Sequence, residues 1–177
     1  QHWHLALGLL DHVQQVGLEP SAVTYSAAMS AYEHKERWEL QLRLLHKVRE
    51  NGLEADVVAW STGISSYEKG QQWELAFEAL GRARHRSLPL DEIAYNSAIS
   101  ASEKGLRWEH ALAALGDVLQ GGLLPSVITY SAAISACEKS GQWQLALGLL
   151  CGAGRRRLAP NVITCSAAIS ACEKGGR

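Results

Sequence analysis

The chain has 177 residues, 47% apolar and 20% charged, a composition that supports a packed core and excludes intrinsic disorder. A formal net charge of −1 excludes nucleic-acid affinity that rests on bulk basicity, so any such binding must use local charge. The longest apolar runs, such as 145–151, fall far short of the roughly 20 residues that cross a bilayer, and no charge-flanked apolar stretch opens the chain, so no membrane segment is expected.

The nine letters SAAISACEK stand at 131–139 and again at 166–174, and the same 35-residue interval recurs along the sequence. A partial unit, 1–21, comes first, complete units follow at 22–56, 57–91, 92–126 and 127–161, and a further partial unit occupies 162–177. Trp3, Trp38, Trp73, Trp108 and Trp143 keep the interval. So do Glu33, Glu68, Glu103, Glu138 and Glu173, and Leu18, Leu53, Leu88, Leu123 and Leu158. The whole chain is expected to be one array.

Each unit predicts two helices. In 127–161, Tyr130, Ala133, Ile134 and Cys137 fall at i, i+3, i+4 and i+7, one apolar stripe of a first helix. After a break at Ser140 and Gly141, Trp143, Ala146, Leu147 and Leu150 repeat that spacing and predict a second. Pro20, Pro89, Pro125 and Pro160 all sit in the connectors that follow second helices, where they interrupt no helix. Ser21, Asp56, Asp91, Ser126 and Asn161 precede the next first helix and are good N-caps. One hairpin cannot bury both of its stripes, so the hairpins are expected to stack into a superhelix with a continuous core. The Trp series, at helical spacing with Ala and Leu, reads as core packing and not as a ligand cage.

With the apolar stripe turned inward, a small and mostly polar side of each first helix is left over. It carries Val23, Ser26 and Ser30; Val58, Ser61 and Ser65; Ile93, Asn96 and Ser100; Ile128, Ser131 and Ser135; and Ile163, Ser166 and Ser170. Lys69, Lys104, Lys139 and Lys174 close the later sets, with His34 in the earliest, so a nearly neutral chain bears a regular column of positive charge. Four cysteines show no C-x-x-C spacing and no recurring His partner, so neither a zinc site nor any other cofactor is expected. Cys137 and Cys172 would stand about 10 Å apart on stacked helices, too far for a disulfide, which predicts free thiols and a reducing compartment.

The pattern V-x-T-Y-x-x-x-I at a hairpin start, a Gly-containing turn and G-L-x-P-[DSN] at the end, every 35 residues, resembles the pentatricopeptide repeat family in its 35-residue P-type form. The tetratricopeptide family, with a 34-residue period, fits less well. Trp after the turn, and Ala83 and Ala153 where the commonest plant pattern has Met, are departures. The resemblance implies an all-α, right-handed α-solenoid that binds single-stranded RNA, one base per repeat. It implies that the fifth and last residues of a repeat face one base: Ser26 with Asp56, Ser61 with Asp91, Asn96 with Ser126, and Ser131 with Asn161, with Ser166 opening the next pair. By the family's pairing rules these read 5′-GGCA-3′. Val23, Val58, Ile93, Ile128 and Ile163 would wedge between bases, and Lys69, Lys104, Lys139 and Lys174 would meet phosphates. Four such lysines predict a salt slope of about −3. By resemblance alone the setting would be RNA processing, stabilisation, translation or editing in a mitochondrion or plastid.

Plainer readings stand beside these. Asp, Ser and Asn at the last place serve equally as helix caps, and Lys near a helix C-terminus is a favourable charge placement in itself. A solenoid that binds a protein or peptide is the alternative function, although such surfaces carry more aromatic and large apolar groups than this one. No nucleophile, metal or phosphate-loop motif points to an enzyme or to a small-molecule substrate.

Overall fold

The computed structural model describes residues 3–17, 19–31 and 38–175. Within them the chain forms α1 (Trp3–Gln15), α2 (Ala22–Ala31), α3 (Trp38–Glu50), α4 (Val57–Lys69), α5 (Trp73–His85), α6 (Glu92–Lys104), α7 (Trp108–Gln120), α8 (Val127–Lys139), α9 (Trp143–Arg155) and α10 (Val162–Gly175). Glu33 and His34, two members of the recurring series, and Leu18 lie outside the described residues.

Local chemistry sets the helix ends. Asp56 and Asp91 are extended and accept from the amides of Ala59 at 2.8 Å and Ala94 at 3.0 Å, so each satisfies a backbone donor that the first turn leaves open. Ser126 forms a reciprocal capping box with Thr129, and Asn161 accepts from the Thr164 amide at 2.8 Å. At the other end of the second helices the recurring leucines acquire a role. The amides of Leu53, Leu88, Leu123 and Leu158 bond back to the carbonyls of Val48, Ala83, Val118 and Ala153, while their side chains pack on the core. This is the six-to-one bond of a Schellman motif with its apolar contact. The residue before each of these four leucines takes a left-handed backbone: Gly52, Ser87, Gly122 and Arg157, with φ of 66°, 54°, 74° and 60°. Ser87 and Arg157 adopt that conformation without a glycine's freedom.

The hairpins stack as two layers. First helices α2, α4, α6, α8 and α10 touch in succession, and α3, α5, α7 and α9 each pack between their own first helix and the next one. The seam between layers is filled by the expected stripe: Tyr130, Ala133, Ile134 and Cys137 are buried, as are Tyr25, Met29, Ile64, Tyr67, Tyr95 and Ile99. Burial pushes the Cys137 thiol up to about 11, which keeps it protonated and inert near neutrality.

Trp38, Trp73 and Trp108 pack against the core as expected, but from its edge and not from inside it. Trp38, Trp73 and Trp108 are only half-buried, and Trp143 is 37% exposed. Each ring lies in the seam between repeats. A Cβ added at Gly70 would stand 2.7 Å from the Trp38 ring, and Gly105 and Gly175 face Trp73 and Trp143 in the same way. Trp38, Trp73 and Trp143 thus cover the end of the next first helix, where a glycine leaves room. Trp3's side chain is outside the described residues.

Candidate nucleic-acid interface

The second residue of each first helix points away from the core. Val23, Val58, Ile93, Ile128 and Ile163 are all exposed, four of the five at 65% or more, so aliphatic side chains stand on one face at one per repeat. Isolated surface aliphatics need no explanation, but a regular file of them on stacked helices does.

Between these residues lie the fifth and last places. Ser26 Oγ donates to Asp56 Oδ1 at 2.7 Å, and Ser61 Oγ to Asp91 Oδ1 at 3.3 Å. The same Oδ1 atoms cap the following helices, which leaves Oδ2 of each carboxylate for a further partner. Capping and outward recognition therefore do not compete for one atom. Around the second pair a cleft of about 310 Å³ opens, lined among others by Val58, Ser61, Asp91 and Ile93. One hydroxyl–carboxylate pair and two successive aliphatic residues thus share one concavity.

The other two pairs differ, and the third residue of the helix is the reason. Where that residue is Ala59 or Ala94, the serine and aspartate meet directly. Thr164 instead stands between Ser131 and Asn161, hydrogen-bonded to the Ser131 hydroxyl and donating to Asn161 Oδ1 at 2.7 Å. Asn96 and Ser126 are likewise not in direct contact: Asn96 Nδ2 donates to Glu92 at 3.2 Å, and Thr129, the partner of Ser126 in its capping box, donates to the same carboxylate at 3.1 Å. Proximity to the Ser126 hydroxyl, foremost, with Asn96 and Thr129, holds the Glu92 carboxyl below its usual range against the opposing effect of desolvation. Glu92 did not stand out in the sequence, and Thr129 entered it only as the third letter of the V-x-T-Y pattern. The signal was there in the departure of Glu92 from the Val57, Val127 and Val162 that hold the same place. Ser166 is exposed on α10.

The lysines form a ladder, not a free column. Lys104 pairs with Glu68, Lys139 with Glu103 at 2.9 Å, and Lys174 with Glu138, each glutamate coming from the preceding repeat. Ser100 and Ser170 donate to Glu68 and Glu138 as well. The Lys174 hydrogen bond is the main cause that depresses the Glu138 carboxyl, so the pair is ionised near neutrality. Lys69 occupies the corresponding place one repeat earlier. Positive charge on this face is thus matched, rung by rung, by negative charge.

Residues 113–175 match the family model of the pentatricopeptide repeat domain. No curated protein sequence matches significantly. A crystal structure of the pentatricopeptide repeat protein PPR10 in complex with an 18-nt psaJ RNA element aligns with a TM-score of 0.66 at 22% identity, over 96% of this chain and 25% of that one. PPR10 from maize aligns at 0.54 and 18% identity over 98% of this chain and 30% of that one. The PPR domain of Arabidopsis thaliana protein-only RNase P 1, in complex with tRNA, aligns at 0.81 and 11% identity over 97% of this chain and 90% of that domain. The chain therefore spans only a quarter to a third of the PPR10 structures, and at such identities the likeness speaks to the fold. The matched stretch is little more than a third of the chain and lies in a run of one 35-residue unit whose described residues fold as a helical solenoid, the fold of these pentatricopeptide repeat structures.

Proposed function

We propose that the face formed by the first helices binds single-stranded RNA, one base per repeat, with the complete repeats reading 5′-GGCA-3′ from the amino-terminal side. The observation that carries this is the cleft between the second and third repeats, where Val58 and Ile93 flank the Ser61–Asp91 pair. An unstacked base needs apolar contact on both faces and polar contact along one edge, and that cleft offers both. Asp56 and Asp91 would accept from the N–H groups of a guanine edge through Oδ2, while Asn161 offers a donor and an acceptor, as adenine requires. The 18-nt psaJ RNA element held by PPR10, a structure of similar fold, supports the assignment of ligand class. A place in organelle RNA metabolism follows the family.

Titration of the chain against labelled single-stranded RNA containing GGCA, its permutations and the DNA equivalent, at two salt concentrations, tests the proposal. GGCA is expected to bind at least tenfold tighter than permuted sequences, since one good edge contact is worth about 1–3 kcal/mol. Equal weak binding to every sequence, or none, would overturn it and leave the scaffold alternative.

A further inference from the structure

Charge on the lysine ladder is cancelled locally, whereas charge at Arg155, Arg156 and Arg157 is not. These consecutive residues close α9 and begin the connector to α10, and all are exposed. Among the described residues none of the three makes an ion pair. The other arginine-rich turn is compensated: Arg82 pairs with Glu78, and Arg84 with Asp117 of the next repeat. In the fourth repeat the places of Glu78 and Asp117 are held by Gly148 and Gly152, and α9 contains no acidic residue. Between Glu138, which Lys174 engages, and Glu173 the sequence has no Asp or Glu at all. The backbone does not call for arginine here either, since Arg157 holds φ of 60°, the left-handed region that Gly52 and Gly122 occupy at the same place.

Resting on the RNA-binding reading above, we propose that Arg155, Arg156 and Arg157 hold the RNA backbone beside the fourth repeat, a phosphate contact that carries affinity and no sequence information. Asn161, the exposed last place of that repeat, stands four residues beyond Arg157, so the two Cα atoms are within about 14 Å whatever path the connector takes. A strand whose base met Ser131 and Asn161 would run its next phosphates toward α10, the helix that this connector enters. Guanidinium groups suit the task, because their planar fork meets phosphate oxygens two at a time and keeps its charge. Lys104, Lys139 and Lys174 would each have to leave a carboxylate to do the same. The plainer role, a basic residue favouring a helix C-terminus, accounts for Arg155 in the last turn of α9 but not for Arg157, which lies past the cap.

The test compares wild type with Arg155→Gln/Arg156→Asn/Arg157→Gly, which takes the letters that Gln120, Asn51 and Gly122 supply at the same places, so the fold tolerates them. Arg155→Lys/Arg156→Lys/Arg157→Lys keeps the charge. Each is titrated over a range of salt against GGCA strands extended by a uridine tract on the 3′ or the 5′ side, with G or A at the second nucleotide as a check on base reading, and a thermal melt verifies folding. Loss of three phosphate contacts should make the salt slope on the 3′-extended strand shallower by about 2, at roughly 0.7 per phosphate, and weaken binding at low salt by about tenfold or more. The 5′-extended strand should lose less than about threefold, the lysine variant should keep the slope, and the G:A ratio should not move. An unchanged slope in the folded neutral variant, or an equal loss on both strands, which is the mark of net charge alone, would overturn the role of these arginines and leave the RNA reading standing. Absence of RNA binding by folded wild type would remove that reading, and this inference with it.

Discussion

Asp91→Asn separates capping from recognition, because the two use different oxygens. Asp91 Oδ1 accepts from the Ala94 amide at 3.0 Å and from Ser61 Oγ at 3.3 Å, and an asparagine carbonyl can keep both bonds. Asn and Asp are near equals as N-caps, so the expected loss of stability is confined to the negative charge at the helix N-terminus, about 0.3–1 kcal/mol. For a chain of this size that lowers Tm by a few degrees at most. The outward oxygen, however, becomes an NH2 group, which exchanges an acceptor for donors at the point where a guanine edge would offer N–H. An edge contact worth about 1–3 kcal/mol corresponds to roughly 5- to 150-fold in Kd. Fluorescence anisotropy with GGCA and GACA strands should therefore show the second-nucleotide preference moving from G toward A by at least fivefold, with a thermal melt that hardly changes. A melt lowered by several degrees with the G:A ratio unchanged would refute the reasoning and leave Asp91 a cap and nothing more.

Two further outcomes are expected. Glu103→Gln removes the partner of Lys139, a partly exposed pair whose contribution to stability is at most about 1 kcal/mol, so Tm should change little while RNA binds severalfold tighter and its salt slope steepens by up to about 0.7; unchanged affinity and slope would mean that this lysine does not reach a phosphate. Ser87→Gly relieves a left-handed backbone that Gly52 and Gly122 occupy in neighbouring repeats, and should stabilise by about 0.5–1 kcal/mol with RNA affinity unaltered, as read by thermal melting; a fall in Tm would show that Ser87 is not strained there.

Much of the fold was legible because its rules are local. Asp56, Asp91, Ser126 and Asn161 mark helix starts by side-chain chemistry alone, and the stripe of Tyr130, Ala133, Ile134 and Cys137 marks the buried side by spacing alone. What escaped depends on how one repeat sits on the next. Glu103 and Lys104 are adjacent in sequence and cannot pair with each other in a helix. Each pairs instead across repeats, Glu103 with Lys139 and Lys104 with Glu68, and that requires the stacking offset. The edge position of the tryptophans escaped for the same reason: their periodicity matches a core position, but the glycines that receive Trp38, Trp73 and Trp143 belong to the following unit. Thr164 and Glu92 went unmarked because an alphabet confined to the fifth and last places gives no weight to the first and third.

Asp56 closes one repeat, caps α4 of the next and holds Ser26 of its own, so the site lies across a boundary. Under the proposed recognition, this makes the last-place character a restricted vocabulary. Whatever base is to be specified, the symbol written there must also start a helix, which confines it to a handful of short polar residues, whereas the fifth place carries no such grammatical duty. Diversity in such a code would then accumulate at places with no capping obligation.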